Sequence, residues 1–313
     1  MTSLAKPDAV TPGEAEADPD FGFLFAPAGS AAEVQPRFRE GLTARLRRVV
    51  LGTAYALRLE RLPILPSLLF LAAEFLMSPE AASARFEERK YRGAQGLVGI
   101  SQDLGPQALL DAYRSGIFPF CHVGPTKWWS PAERPVLHPG ETRIEKNLRR
   151  LIRQHRYRVT FDTDFAAVMR ACAEPRPGKT PLTWITPKVM EAFWDLHQAG
   201  HAHSVEVWDT EGRLVGGLYG LAVGEVFFGE SQFSTVRDAS KIAVATLHCH
   251  LAHWGFALRD AKRQSEHLKS LGFRMMPRAE FLEALREHAW KPGRPGHWAV
   301  DETLDVAAWQ SKP

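Results

Sequence analysis

Cysteine is scarce in this chain. Its three residues, Cys121, Cys172 and Cys249, are odd in number and widely spaced, which excludes a disulfide framework and a thiolate zinc site and points to a reducing cytoplasm. Long apolar runs are lacking too. The most apolar stretch, Ile64 to Met77, is interrupted by Pro66 and Glu74 and falls short of the roughly 20 residues that a membrane-spanning helix needs. Charge of one sign is not in large excess. A formal net charge of +3 does not announce a nucleic-acid binder, although a local basic patch can still serve one. There is no Gly-x-Ser-x-Gly elbow and no Walker phosphate loop, so the hydrolase and nucleotide readings that rest on them have no support. Two close histidine pairs, His201/His203 and His248/His250, invite a metal. The second pair lies in a predicted helix, where i, i+2 spacing sends the two rings to different faces, so no metal site is expected.

What is present is ordinary globular material: 313 residues, 45% hydrophobic and 24% charged, enough for a large core and more than one domain. Residues 1–20 are polar and acidic, the composition of a disordered tail and not of a signal or transit peptide. Residues 21–92 read as a helical extension. It carries Arg45, Arg47, Arg48, Arg58 and Arg61 ahead of the apolar stretch, so a weak contact with anionic lipid or RNA is conceivable. The plainer reading is an extension folded onto the body with solvated arginines.

Residues 93–160 are assigned to a smaller α/β domain. Leu109, Leu110 and Tyr113 share one helical face closed by Gly116. The aromatic and proline-rich segments Ile117 to Phe120 and Lys127 to Pro131 suit irregular walls or loops. Thr142 to Arg158 reads as a basic helix, followed by a strand from Tyr157 to Phe161. Residues 161–290 form the larger unit, and 291–313 a C-terminal tail. Thr186 caps a helix whose first residue is Pro187. An antiparallel meander then runs over Ser204–Trp208, Leu214–Ala222 and Val226–Glu230. A long helix (Ala239–Trp254), a short strand (Phe256–Arg259) and a helix ended by Gly272 complete it. The order predicts an α+β fold in which helices cover a mostly antiparallel sheet, the order also found in the acetyltransferase fold.

Glu230 ends an apolar strand and Asp260 ends the next, so both carboxylates can converge on one cleft. A buried carboxylate costs several kcal/mol unless paired, roughly, so a partner or a substrate is required. Trp128, Trp129 and Trp184 are candidate aromatic walls for an amine-bearing ligand. The most concentrated positive charge, from Arg143 through Lys146, Arg149, Arg150 and Arg153, is the candidate for nucleic-acid backbone contact.

In these pieces the chain resembles the leucyl/phenylalanyl-tRNA-protein transferases of bacteria. The matching stretches run in family order: Tyr113-Arg-Ser-Gly-Ile-Phe-Pro119, Trp128-Trp-Ser-Pro131, Thr183-Trp-Ile-Thr186, Gly200 to Trp208, Leu214 to Gly220, Gly229-Glu-Ser231, Ala239-Ser-Lys241 and Ser270-Leu-Gly272. The resemblance implies an acetyltransferase-like larger domain that moves leucine or phenylalanine from aminoacyl-tRNA to the N-terminal amine of a protein or peptide, marking it for degradation. It implies a cytoplasmic monomer without cofactor, because the ester is already activated and positioning with a modest base suffices. By the same resemblance, Glu230 faces the substrates and Asp260 orients the attacking amine. Gly229 and Ser231 flank the site, and Trp184, Leu218, Val244, Leu247 and Leu251 line an apolar pocket for the amino acid or its adenosine. The chain departs from the family at Lys262, which stands where a glutamine is held to be catalytic. Phe120 replaces a tryptophan, and the extension has no counterpart in short members. A lysine in the site disfavours a cationic acceptor by like charge, so a different acceptor, such as an acidic N-terminus or a small amine, stands as an alternative. So does a non-catalytic tRNA-binding adaptor.

Overall fold

Alternating apolar residues over 202–234 build three antiparallel strands, β6 (Ala202–Trp208), β7 (Leu214–Val223) and β8 (Val226–Ser234). The computed structural model describes residues 37–77, 91, 95–175 and 180–311. The expected tail at 1–20, and the extension outside 37–77 and 91, lie outside the described residues. At the first meander turn, Asp209 accepts hydrogen bonds from the Glu211 and Arg213 amides, and Gly212 takes φ 75°, a conformation glycine adopts without penalty.

The meander is the middle of a seven-stranded sheet. On one side β5 (Arg158–Phe161) pairs with β6. On the other, β9 (Leu258–Asp260) runs parallel to β8, β4 (Glu133–Leu137) pairs with β9, and β10 (Arg274–Pro277) closes the edge on β4. A parallel pair needs a crossover, and α7 (Ala239–His253) supplies it, buried along most of its length. The period-two alternation of the strands divides the core. Val205, Val207, Leu218 and Phe227 pack under α7, with Ile242, Val244, Leu247 and Leu251. Tyr219, Leu221 and Phe228 face the other way, toward α5 (Phe165–Ala173) and α6 (Pro187–Gln198). Thr186 caps α6, its hydroxyl accepting from the Val189 amide.

A second, three-stranded sheet holds β1 (Leu97–Ser101), β3 (Thr126–Trp129) and β2 (Phe118–Pro119), with β3 in the centre. The expected irregular wall around Trp128 and Trp129 is therefore a central strand. The two tryptophans are buried there, on a strand paired on both sides. β4 and β5 fall within 93–160 yet belong to the large sheet, so the two sheets part between Trp129 and Glu133 and not at residue 160. The basic helix is shorter than expected: α4 spans only Lys146–Arg153, with Arg143 before it and His155, at φ 49°, after it. The C-terminal tail is docked, the Trp298 ring stacking on His203 at 3.6 Å.

The extension is helical where described. α1 (Leu42–Ala56) leads through a 3-10 turn (Leu59–Ile64) into α2 (Leu65–Met77). Its inner face is anchored: the Phe38 amide donates to Glu191 at 2.9 Å, Gly52 lies against Val123, and Leu71 and Phe75 are buried. No described helix is long and apolar enough to cross a membrane.

Candidate active site

Glu230 is not a strand end. Across β7 and β8, Gly220 pairs with Gly229 and Tyr219 with Ser231, leaving Glu230 as the extra residue of a β-bulge, a device that re-aims a side chain. Its carboxylate is fully enclosed. There Oε1 accepts from the Tyr113 hydroxyl at 2.6 Å and pairs with Lys262 Nζ, which itself reaches the Tyr113 oxygen at 3.2 Å. Tyr113 comes from α3 (Pro106–Arg114). One partner of the carboxylate, at Oε1, is therefore in the chain. Glu230 Oε2 and the Tyr219 hydroxyl are enclosed without a hydrogen-bond partner among the described residues.

Asp260 does end its strand, as expected, but it does not face an open cleft. Both of its oxygens are held by Arg134 from β4, at 3.0 and 2.6 Å, and the pair is buried. Arg134 also donates to the Gly116 carbonyl at 2.8 Å and lies 4.5 Å from the Phe281 ring centre. Two residues on, Lys262 takes φ 62°, and its amide donates to Asp260 Oδ1 at 3.2 Å. This tight turn sends its side chain back over Tyr113 and Phe118 to Glu230.

Burial sets the protonation tendencies. It pushes the Glu230 carboxyl above the ordinary range, with Lys262 and Tyr113 opposing it, and it pulls the Lys262 ammonium below the ordinary lysine range, with Glu230 opposing it. The Tyr113 phenol is driven well up by burial and by Glu230. All three shifts favour neutral groups, so a proton can move within the cluster at little cost in charge.

Lys262 also opens outward. It lines a cavity of about 280 Å³ with Phe118, Phe120, Trp129, Glu133 and Arg263. Phe120 is shared with a neighbouring cavity of about 380 Å³, and Trp184 is shared between that one and a third of about 570 Å³. The two rings stand 5.8 Å apart. Three chambers with common walls thus form a row from Lys262 to Ser231 and Trp184, and α1 contributes Arg48 to the last two.

The other sequence candidates fall in different places. Trp129 lines the Lys262 cavity, whereas Trp128 is fully buried and donates to Ser101 at 3.0 Å, so it is packing and not a wall. Gly229 and Ser231 flank the bulge. Leu218, Val244, Leu247 and Leu251 are packed in the closed core beneath α7, on the sheet face opposite Tyr219. Arg149 is spent on carbonyls: its guanidinium donates to Ile144, Ala307 and Trp309 at 2.9, 2.8 and 2.5 Å, tying down the C-terminal segment. It is therefore not free for a phosphate, whereas Arg143, Lys146, Arg150 and Arg153 are exposed. His248 and His250 do point apart, one to Arg259 and the other to the Thr246 carbonyl and the Asp301 amide. No cluster able to hold a metal ion occurs among the described residues.

Sequence reasoning passed over Arg134, Tyr219 and the role of Tyr113. Arg134 did carry a signal: with Glu133 it heads the apolar run Pro135-Val-Leu137.

Comparison with known proteins bears on what this cluster serves. Residues 136–286 match the family model for leucyl/phenylalanyl-tRNA protein transferase, and residues 102–132 match its N-terminal domain. A leucyl/phenylalanyl-tRNA–protein transferase of Pseudomonas syringae pv. syringae is 50% identical over 206 residues, 66% of this chain and 89% of that protein. The chain belongs to the leucyl/phenylalanyl-tRNA protein transferase family. A relative from Aromatoleum aromaticum with the same name is 46% identical over 222 residues, covering 70% of this chain and 92% of that one. Within the transferase family match lie Tyr113, Glu230, Asp260 and Lys262, while α1 and α2 precede it. Among solved structures, L-PGS from Bacillus licheniformis matches at a TM-score of 0.30 and 10% identity over 48% of this chain and 47% of that one.

Proposed function

We propose that this protein is an aminoacyltransferase that moves leucine or phenylalanine from aminoacyl-tRNA to the N-terminal amine of a protein. The observation that carries the reading is the enclosed Glu230–Tyr113–Lys262 cluster, which reaches an open cavity through Lys262 within a chain of this family. The row of chambers suits the 3′ end of a charged tRNA, with Trp129, Phe120 and Trp184 as stacking surfaces for base and side chain. The acetyltransferase-like character of the larger domain belongs to this proposal, as does a cytoplasmic, monomeric state. Leu218, Val244, Leu247 and Leu251 would bear on such a pocket only by packing behind the sheet.

In the reaction, the amine nitrogen attacks the ester carbonyl carbon, the bond to the ribose oxygen breaks, and the proton shed by the amine ends on that oxygen. An α-amine titrates near pH 8, roughly, so a neutral fraction is available and only a modest base is required. Lys262, with its lowered proton affinity, is the candidate catalytic residue that accepts this proton and returns it. Glu230 and Tyr113 position Lys262, and Asp260 with Arg134 fixes the turn on which it sits. Arg143, Lys146, Arg150 and Arg153 are proposed to contact the tRNA backbone, which makes activity fall with salt.

The acceptor deserves a second reading. Pairing with Glu230 removes the like-charge argument from Lys262; on the same cavity wall Arg263 opposes, and Glu133 favours, an acceptor whose first residue is arginine or lysine. The alternative acceptor, an acidic N-terminus or a small amine, requires that Arg263 outweigh Glu133 there. Transfer of labelled leucine from charged tRNA to peptides starting with Arg, Lys, Asp, Glu or Ala tests both. Label on any peptide, lost in Lys262→Met, supports the transferase; its distribution decides the acceptor. Absence of label with tRNA binding intact would leave the adaptor.

A further inference from the structure

Of the fourteen large hydrophobic residues exposed among the described ones, eleven lie between Leu42 and Met77. That concentration is the reverse of what a solvated extension requires. At about 100° per residue, Leu42, Leu46, Val49 and Val50 fall on one side of α1, and Leu69, Leu76 and Met77 on one side of α2. Both stripes point away from the body, since the opposite faces carry Gly52 and Arg48 in α1 and Leu71 and Phe75 in α2, all packed on or bonded to it. The outer leucines are nearly bare, Leu42 at 83% and Leu76 at 79% exposure.

Charge identifies the occupant. Residues 37–77 hold seven arginines, no lysine and three glutamates. In α1, Arg45 and Arg47 emerge on either side of the apolar stripe, both exposed, so their long stems can follow it while the guanidinium groups reach outward. Arg58 is exposed just beyond the helix. An apolar stripe edged by arginines, on helices too short to span, fits the headgroup region of an anionic bilayer. An RNA surface would use the arginines but leave the leucines in water.

We propose that α1 and α2 form an interfacial membrane-docking element that holds this protein against anionic lipid, with the outer leucines in the acyl boundary and the arginines among the phosphates. The Lys262 cluster lies outside this element; Arg45 and Arg48 of α1 also line the second chamber and Arg47 and Arg48 the third, whereas Leu46, Arg58 and Leu69 line none of the three.

Flotation of the full chain with vesicles of phosphatidylcholine, with and without phosphatidylglycerol, tests this. The expected result is binding to the anionic vesicles, weakened by salt. The double variant Leu46→Glu/Leu69→Glu should lose roughly tenfold or more in vesicle affinity, and Arg58→Glu should weaken binding to anionic vesicles while leucyl transfer in solution is unchanged. Thermal melts of both variants confirm that they fold. Three results would overturn the proposal: no flotation of the folded wild type, flotation indifferent to both variants, or light scattering showing a dimer that Leu46→Glu/Leu69→Glu dissociates in place of any vesicle binding. Arginine-dependent binding to RNA without flotation overturns it as well.

Discussion

Two regions of this molecule invert the usual placement of side chains, in opposite senses. Between the sheets, the ionisable groups Glu230, Lys262, Asp260 and Arg134 are enclosed; on α1 and α2, leucines stand in water. The first inversion is closed within the chain, because each enclosed carboxylate has a basic partner held by further hydrogen bonds. The second is open, because Leu42, Leu46, Leu69 and Leu76 of the outer stripes stand largely exposed. A closed inversion organises a site, and an open one seeks a surface.

Breaking the closed pair should have the largest effect. Arg134→Met strands the Asp260 carboxylate and is expected to cost about 3–5 kcal/mol in urea unfolding. Arg134→Met/Asp260→Leu should recover much of it, and a single variant as stable as wild type would end the comparison. Next, Lys262→Met is expected to slow leucyl transfer by roughly 10²–10⁴-fold. The wild-type rate should rise with pH through a lysine titration below the ordinary range, and on the same peptide this limb should vanish in the variant.

Within the extension, the two faces of one helix sharpen the contrast. Leu71→Ala, on the inner face of α2, is expected to cost about 2–5 kcal/mol. A smaller effect comes from pH. Burial lowers the proton affinity of His197, His203, His248 and His250. The unfolded chain therefore binds more protons than the native one as pH falls below about 6.5, and stability present above that pH is lost on acidification through the lower native values. The melting temperature should decline across that range. Smallest of all, Leu69→Ala on the outer face should shift stability by less than about 0.5 kcal/mol. A large loss there would mean that the stripe is already covered.

Local features were legible where local physics governs them. The Thr186–Pro187 cap, the meander, the helix ended by Gly116 and the long helix at Ala239 follow from capping chemistry and periodicity. Legible too were the importance of Glu230 and Asp260, since carboxylates at the ends of apolar runs demand partners, and the family, whose short motifs recur in order. Less legible were the bulge, which displaced Glu230 from the strand end, and the central position of Trp128. Both depend on which strand lies alongside.

The amino-acid order by itself determined many of the elements, the α+β class and the residues whose burial needs explaining, because propensity, alternation and desolvation act over a few neighbours. Only the tertiary structure decided that Lys262 answers Glu230, that Arg134 answers Asp260, that Arg149 serves the C-terminal segment, and that the leucines of the extension face outward. Partners separated by 32 residues in one pair and 126 in the other meet only when the sheet closes, and a helix has no outer face until its inner one is packed.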